Sequence, residues 1–122
     1  MKAAKVKRLV IHDVKGWRSC LGLNEWNLSL NFEPMPKSMG KHTVAACLAI
    51  WEQKNARLTF DVERMAKKAL DRDEIRRTVL HEMLHCVCNG YERFHETPLL
   101  EEMVSTLTTI TMRCWKAPAP KE

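Results

Sequence analysis

No apolar run in this chain approaches the roughly 20 residues that a membrane-spanning helix needs, so an integral helical membrane protein is excluded. The basic start, MKAAKVKRLVIHDVKG, contains only LVI as an apolar run, too short for the core of a signal peptide, and a cytoplasmic location is expected. Five cysteines make an odd set with no CxxC pair, which fits a reducing compartment better than a disulfide framework. Cys20, Cys47 and Cys114 sit in apolar segments and are expected to be buried free thiols, as is Cys88. There is no internal repeat and no sign of a second domain. Residues 1–122 are read as one domain, with 1–6 and the proline-rich end, 116–122, expected to be loose.

What remains is an ordinary globular composition with a basic balance. The hydrophobic fraction is 45% and the net charge +5. Much of the excess stands early, in Lys2, Lys5, Lys7, Arg8, Lys15 and Arg18. A basic arm can hold nucleic acid, but no aromatic residues interleave with these charges and no binding motif accompanies them. A solvated helix face is the simpler expectation.

The periodicity predicts an α+β domain. Around Lys7 to Leu23, Val10, Val14, Trp17 and Leu21 recur near helical spacing. WNLSLNF then alternates, with Trp26, Leu28, Leu30 and Phe32 on one face, as a half-buried strand does. After a loop rich in proline and glycine, VAACLAIW is continuously apolar and predicts a strand buried on both faces. EQKN makes a hairpin connection into ARLTFDV, a third alternating strand, and ERMAKKAL forms a short helical stretch.

The chemistry is carried by HEMLHCVC, His81 to Cys88. Its segment has helix signals at both ends. Asp71 and Glu74 have the spacing of a capping box, and Asn89-Gly90 supplies a helix stop. At about 100° per residue His81, His85 and Cys88 share a stripe with Glu82 beside it, while Val79, Leu80, Met83, Leu84 and Val87 cover the other side. Two imidazoles in apolar surroundings must be hydrogen-bonded, charged or bound to metal. The four-residue spacing aims both rings at one point, as two corners of a zinc tetrahedron, and leaves Glu82 off that axis as a general base. His12 and His42 are isolated and expected at the surface.

A third protein ligand is required. ETPLLEEMVSTLTTIT predicts a second helix, with Thr97 as N-cap and Pro98 in its first turn. Leu100, Met103, Val104, Leu107 and Ile110 form its expected core face, and Glu101 on the flank of that face is preferred to Glu102 as the ligand. His95, ten residues after His85, is the other candidate, from a loop.

TVLHEMLH followed by LEEMVSTL resembles the gluzincin arrangement of zinc metallopeptidases, and the strands ahead of it are similar to small zincin-like proteins of phages and bacteria. The likeness covers about residues 24 to 112. It implies a small zincin-like domain, about three strands packed against the HExxH helix and a C-terminal helix, with Zn2+ as cofactor. It also implies His81, His85 and Glu101 as ligands, Glu82 as catalytic base and a peptide or protein as substrate. The third histidine of the metzincins is missing, because Tyr91 stands at its position and Cys88 replaces its glycine. LHEMLH is also similar to the SprT-like family, in which a later histidine is the ligand; the spacing to His95 is shorter than that family's insert.

The leading expectation is peptide hydrolysis, with substrate added as a strand along the edge ARLTFDV and Tyr91, Arg93 or His95 assisting the oxyanion. The rivals are a zinc-stabilised binding module with little turnover and a DNA-associated protease.

Overall fold

The computed structural model describes residues 1–92 and 98–114, with the side chains of 1–88 and 101–113. Among these the order is α1 (Ala3–Cys20), β1 (Asn27–Phe32), β2 (Ala45–Ile50), β3 (Asn55–Phe60), α2 (Val62–Lys67), α3 (Arg72–Glu92) and α4 (Pro98–Cys114), with short 3-10 turns at Lys37–Met39 and Trp51–Gln53. The result is an α+β domain, with four helices and a three-stranded mixed sheet among the described residues.

α1 opens at Ala3 rather than near Lys7, and Val6 is fully buried, so the basic start belongs to a packed helix. Some of its charges have intramolecular uses. Lys7 Nζ lies 4.9 Å over the Phe32 ring, and Arg18 Nη2 donates to the carbonyl of Trp26. The helix ends where Gly22 takes φ +70°, with Leu23 N donating to Arg18 O and Gly22 N to Ser19 O. Those two bonds satisfy carbonyls that the last turn would leave open.

The strand order is β1-β3-β2, with β1 parallel and β2 antiparallel to β3. This corrects the expected peptide-binding edge. ARLTFDV is the central strand, hydrogen-bonded on both sides, and cannot accept another. The correction extends to VAACLAIW. β2 is an edge strand buried on one face only, with Leu48 68% and Ile50 44% exposed. A continuous apolar run marks a two-sided strand only when both faces are covered, and here the helices cover one. Ala45, Cys47 and Ala49 face the core, as do Leu28, Leu30 and Phe32 of β1.

β3 supplies the centre of that core. Ala56, Leu58 and Phe60 point inward against Val10, Val14, Val79, Leu80 and Met83 of α1 and α3. Burying a side chain such as Leu58 or Phe60 contributes about 1.5–3 kcal/mol. The strand stops at Phe60 because Asp61 turns the chain into α2. Its carboxylate accepts from Arg64 N at 3.0 Å and from Met35 N at 3.1 Å. α1 and α3 are further tied by Asp13, buried, which accepts both Nη groups of Arg72.

The capping box forms as expected. Glu74 N donates to Asp71 Oδ1 at 2.8 Å, and Asp71 N to Glu74 Oε1 at 3.2 Å. The expected stop at Asn89-Gly90 does not operate, since α3 runs on to Glu92. Val87, assigned to the buried side, is 42% exposed.

Candidate metal centre

α3 is held on its apolar side by Ile75, Val79, Leu80 and Met83, all fully buried, and this fixes its rotation about its own axis. The stripe carrying His81 and His85 is thereby turned towards α4 and the start of β2. Both rings are partly exposed, with side-chain accessibilities of 23% and 20%. Their centroids stand 5.1 Å apart, the separation expected one helical turn along the same face. Glu82, the next residue, is 7% exposed and therefore buried. His81, Glu82 and His85 each offer a ligand atom, all within 4.8 Å of one another, and the three form a cluster that could hold a metal ion.

α4 adds the fourth group. Glu101 Oε1 accepts from His81 Nε2 at 2.6 Å, and Oε2 lies 3.2 Å from His85 Nε2. One carboxylate thus spans both rings. Glu102, the neighbour considered for the same role, is exposed and has no such contact. His95, Arg93 and the Thr97 cap lie outside the described residues, as does the side chain of Tyr91. His12 and His42 are exposed.

The face of α4 that brings Glu101 inward differs from the one predicted. Val104 and Thr108 are the buried positions, at 0% and 1%, and Met112 packs against the core beyond them. Met103, Leu107 and Ile110, expected inside, are exposed. Thr108 is tolerated because its hydroxyl donates to Val104 O at 2.7 Å within the helix. Glu101, Val104, Thr108 and Met112 follow one another at three- and four-residue steps, so the ligand candidate heads the inward stripe itself.

The donors suit a divalent cation of the imidazole-binding kind. Two imidazole nitrogens and a carboxylate converge, a donor set that such a cation fits. In a zinc tetrahedron with bonds of about 2.0–2.1 Å, neighbouring donor atoms stand ~3.3 Å apart. The Glu101–His85 separation already matches that spacing. The Glu101–His81 pair, at hydrogen-bond distance, would open by several tenths of an ångström.

A shallow groove of about 330 Å³ runs across the centre, lined by Thr43, Val44 and Ala45 on one side and Arg77, Thr78, His81, Glu82 and Glu101 on the other. Arg77 was not singled out from the sequence, though it stands one turn before His81 on the same face. Its Nη1 donates to Thr109 Oγ1 of α4 at 2.9 Å, which holds the guanidinium at the groove wall. Arg64 Nη1 donates to Thr43 O at 2.7 Å and Lys68 Nζ to His42 O at 2.8 Å, fixing the segment that leads into β2.

The cysteines divide differently from the expectation. Cys20 is exposed, Cys47 and Cys88 are partly buried, and Cys86 is fully buried. Cys114 lies at the end of α4, its side chain outside the described set. Among the described residues no helix is long and apolar enough to cross a membrane. No protein-family model matches the chain, and no match was found among curated proteins or solved structures.

Proposed function

We propose that this chain is a zinc-dependent metallopeptidase of zincin type, with His81, His85 and Glu101 as metal ligands and Glu82 as general base. The observation that carries the reading is the Glu101 carboxylate, delivered by a separate helix to both Nε2 atoms of an HExxH pair. Nothing in ordinary packing requires a half-exposed glutamate to join two imidazoles beside a buried carboxylate.

A zinc ion held there would polarise the scissile carbonyl and make water easier to deprotonate. Glu82, buried next to the pair, takes the proton of the attacking water and passes it to the leaving amine. Arg77 lines the groove wall and would contact a substrate carbonyl or the developing oxyanion.

The substrate is a peptide in extended form, laid along the free edge of β2. Among the described residues that strand pairs with β3 on one side only, and it begins at the groove, with Thr43 to Ala45 facing His81 and Glu101. Strand addition would satisfy the open backbone groups of β2 and carry the scissile bond past the metal.

Metal analysis of the purified protein, with a peptide-library cleavage assay run with and without chelator, tests the proposal. One zinc per chain and chelator-sensitive cleavage are expected. A chain that holds no zinc overturns the reading. A chain that holds zinc and a peptide but cleaves nothing replaces it with a binding module, and salt-dependent retention on DNA would add nucleic acid as a partner.

A further inference from the structure

A second reactive pair lies one helical turn beyond Glu82. Cys86 shares the Glu82 face of α3 at the four-residue spacing and is fully buried. Its Sγ stands 3.7 Å from Sγ of Cys47 on β2. The approach is made possible by the strand. The core-facing residues of β2 are Ala45, Cys47 and Ala49, all small, so α3 packs closely on this edge and the two sulfurs meet. Cys47 is only partly buried, which gives a small oxidant a route to one member of the pair.

We propose that Cys47 and Cys86 form a redox-responsive dithiol that closes to a disulfide linking the edge strand to the HExxH helix. The inference does not depend on the peptidase reading. A disulfide needs an S–S distance of about 2.05 Å, so the sulfurs must approach by roughly 1.7 Å, a movement that side-chain rotation on two facing elements can supply. Hydrogen peroxide is a sufficient oxidant. The Cys47 sulfur attacks one peroxide oxygen and the O–O bond breaks, giving a sulfenic acid and one water. The Cys86 sulfur then attacks Cys47 Sγ, the S–O bond breaks, and a second water leaves. Two thiols and one peroxide become one disulfide and two waters. The link would hold β2 at a fixed distance from the turn of α3 that carries Glu82, and so set the width of the groove between them.

The experiment treats the purified full chain with hydrogen peroxide, caps the remaining thiols, and maps cross-links by mass spectrometry of non-reduced peptides. A linked Cys47–Cys86 pair is expected, in a monomer lighter by two hydrogens. Closing a loop of 39 residues' separation should raise the melting temperature by roughly 10 °C, reversibly with dithiothreitol. Cys47→Ser, at the less buried position, should remove both the link and the thermal gain while the protein stays folded by circular dichroism. Links that instead join Cys20 or Cys88, oxidation that stops at one sulfur, or an equal thermal gain in Cys47→Ser would each overturn the proposal.

Discussion

Glu101 and His81 are 20 residues apart in the chain, on different helices, and the carboxylate of one accepts from Nε2 of the other at 2.6 Å. The same carboxylate reaches His85 with its second oxygen. This relationship turns two histidines on one helix into a three-sided site.

Removing either imidazole should empty that site. His81→Ala or His85→Ala is expected to lose zinc, measured by elemental analysis against one equivalent in the unaltered chain. Since a metal that binds only the folded state adds its binding energy to stability, chelation should also lower the melting temperature. Full retention of zinc by the double variant would show that the cluster is no metal centre.

The third ligand separates by affinity. Glu101→Ala should weaken zinc binding by more than the roughly 10–100-fold that losing an outer-shell partner costs. Glu102→Ala and His95→Ala should change it little. Competition with a chromophoric chelator reads all three. If His95→Ala strips the metal and Glu101→Ala does not, the SprT-like assignment replaces this one.

Glu82→Gln keeps the shape and hydrogen-bonding capacity of the side chain but removes the base. Zinc content and fold should survive, and turnover should fall by a factor of roughly 10² or more. Equal cleavage by wild type and variant would rule out the mechanism.

Two predictions concern the scaffold. Asp13→Ala takes from Arg72 its carboxylate partner between α1 and α3. Breaking a buried pair costs about 3–5 kcal/mol. Arg72 is 26% exposed and recovers some hydration, so about 2–3 kcal/mol is expected in urea unfolding. A loss below 0.5 kcal/mol, roughly the scatter of neutral surface substitutions, would mean the pair is ornamental to folding.

Ala69, just past α2, holds φ +52° and is exposed. A left-handed residue with a Cβ costs about 1–2 kcal/mol, part of which glycine returns through its looser unfolded chain. Ala69→Gly should therefore stabilise by about 0.5–1 kcal/mol. A drop in the unfolding midpoint would contradict the strain assigned to this position.

Local signals were legible where the cause is local. The Asp71–Glu74 capping box, the alternation of β1 and the hairpin into β3 depend on residues a few positions apart, and each formed as read. The alignment of His81 and His85 on one face, with Glu82 beside it, follows from helical geometry alone. Asn89-Gly90 misled because asparagine and glycine permit a helix to end without requiring it, and α3 continued to Glu92.

The amino-acid sequence by itself determined the elements, the Asp71–Glu74 cap and the spacing that aims two imidazoles at one point, since all of these rest on bonds and angles within one segment. Only the tertiary structure decided which strand became the edge and which face of α4 turned inward. β2's apolar run and α4's Met103, Leu107 and Ile110 resemble buried surface, yet burial belongs to neighbours, and the helices cover only one side of this sheet. Glu101's place beside the histidines rests on the same cause. It is set by Val104 and Thr108 packing beneath it, a contact between segments that no pattern within either one specifies.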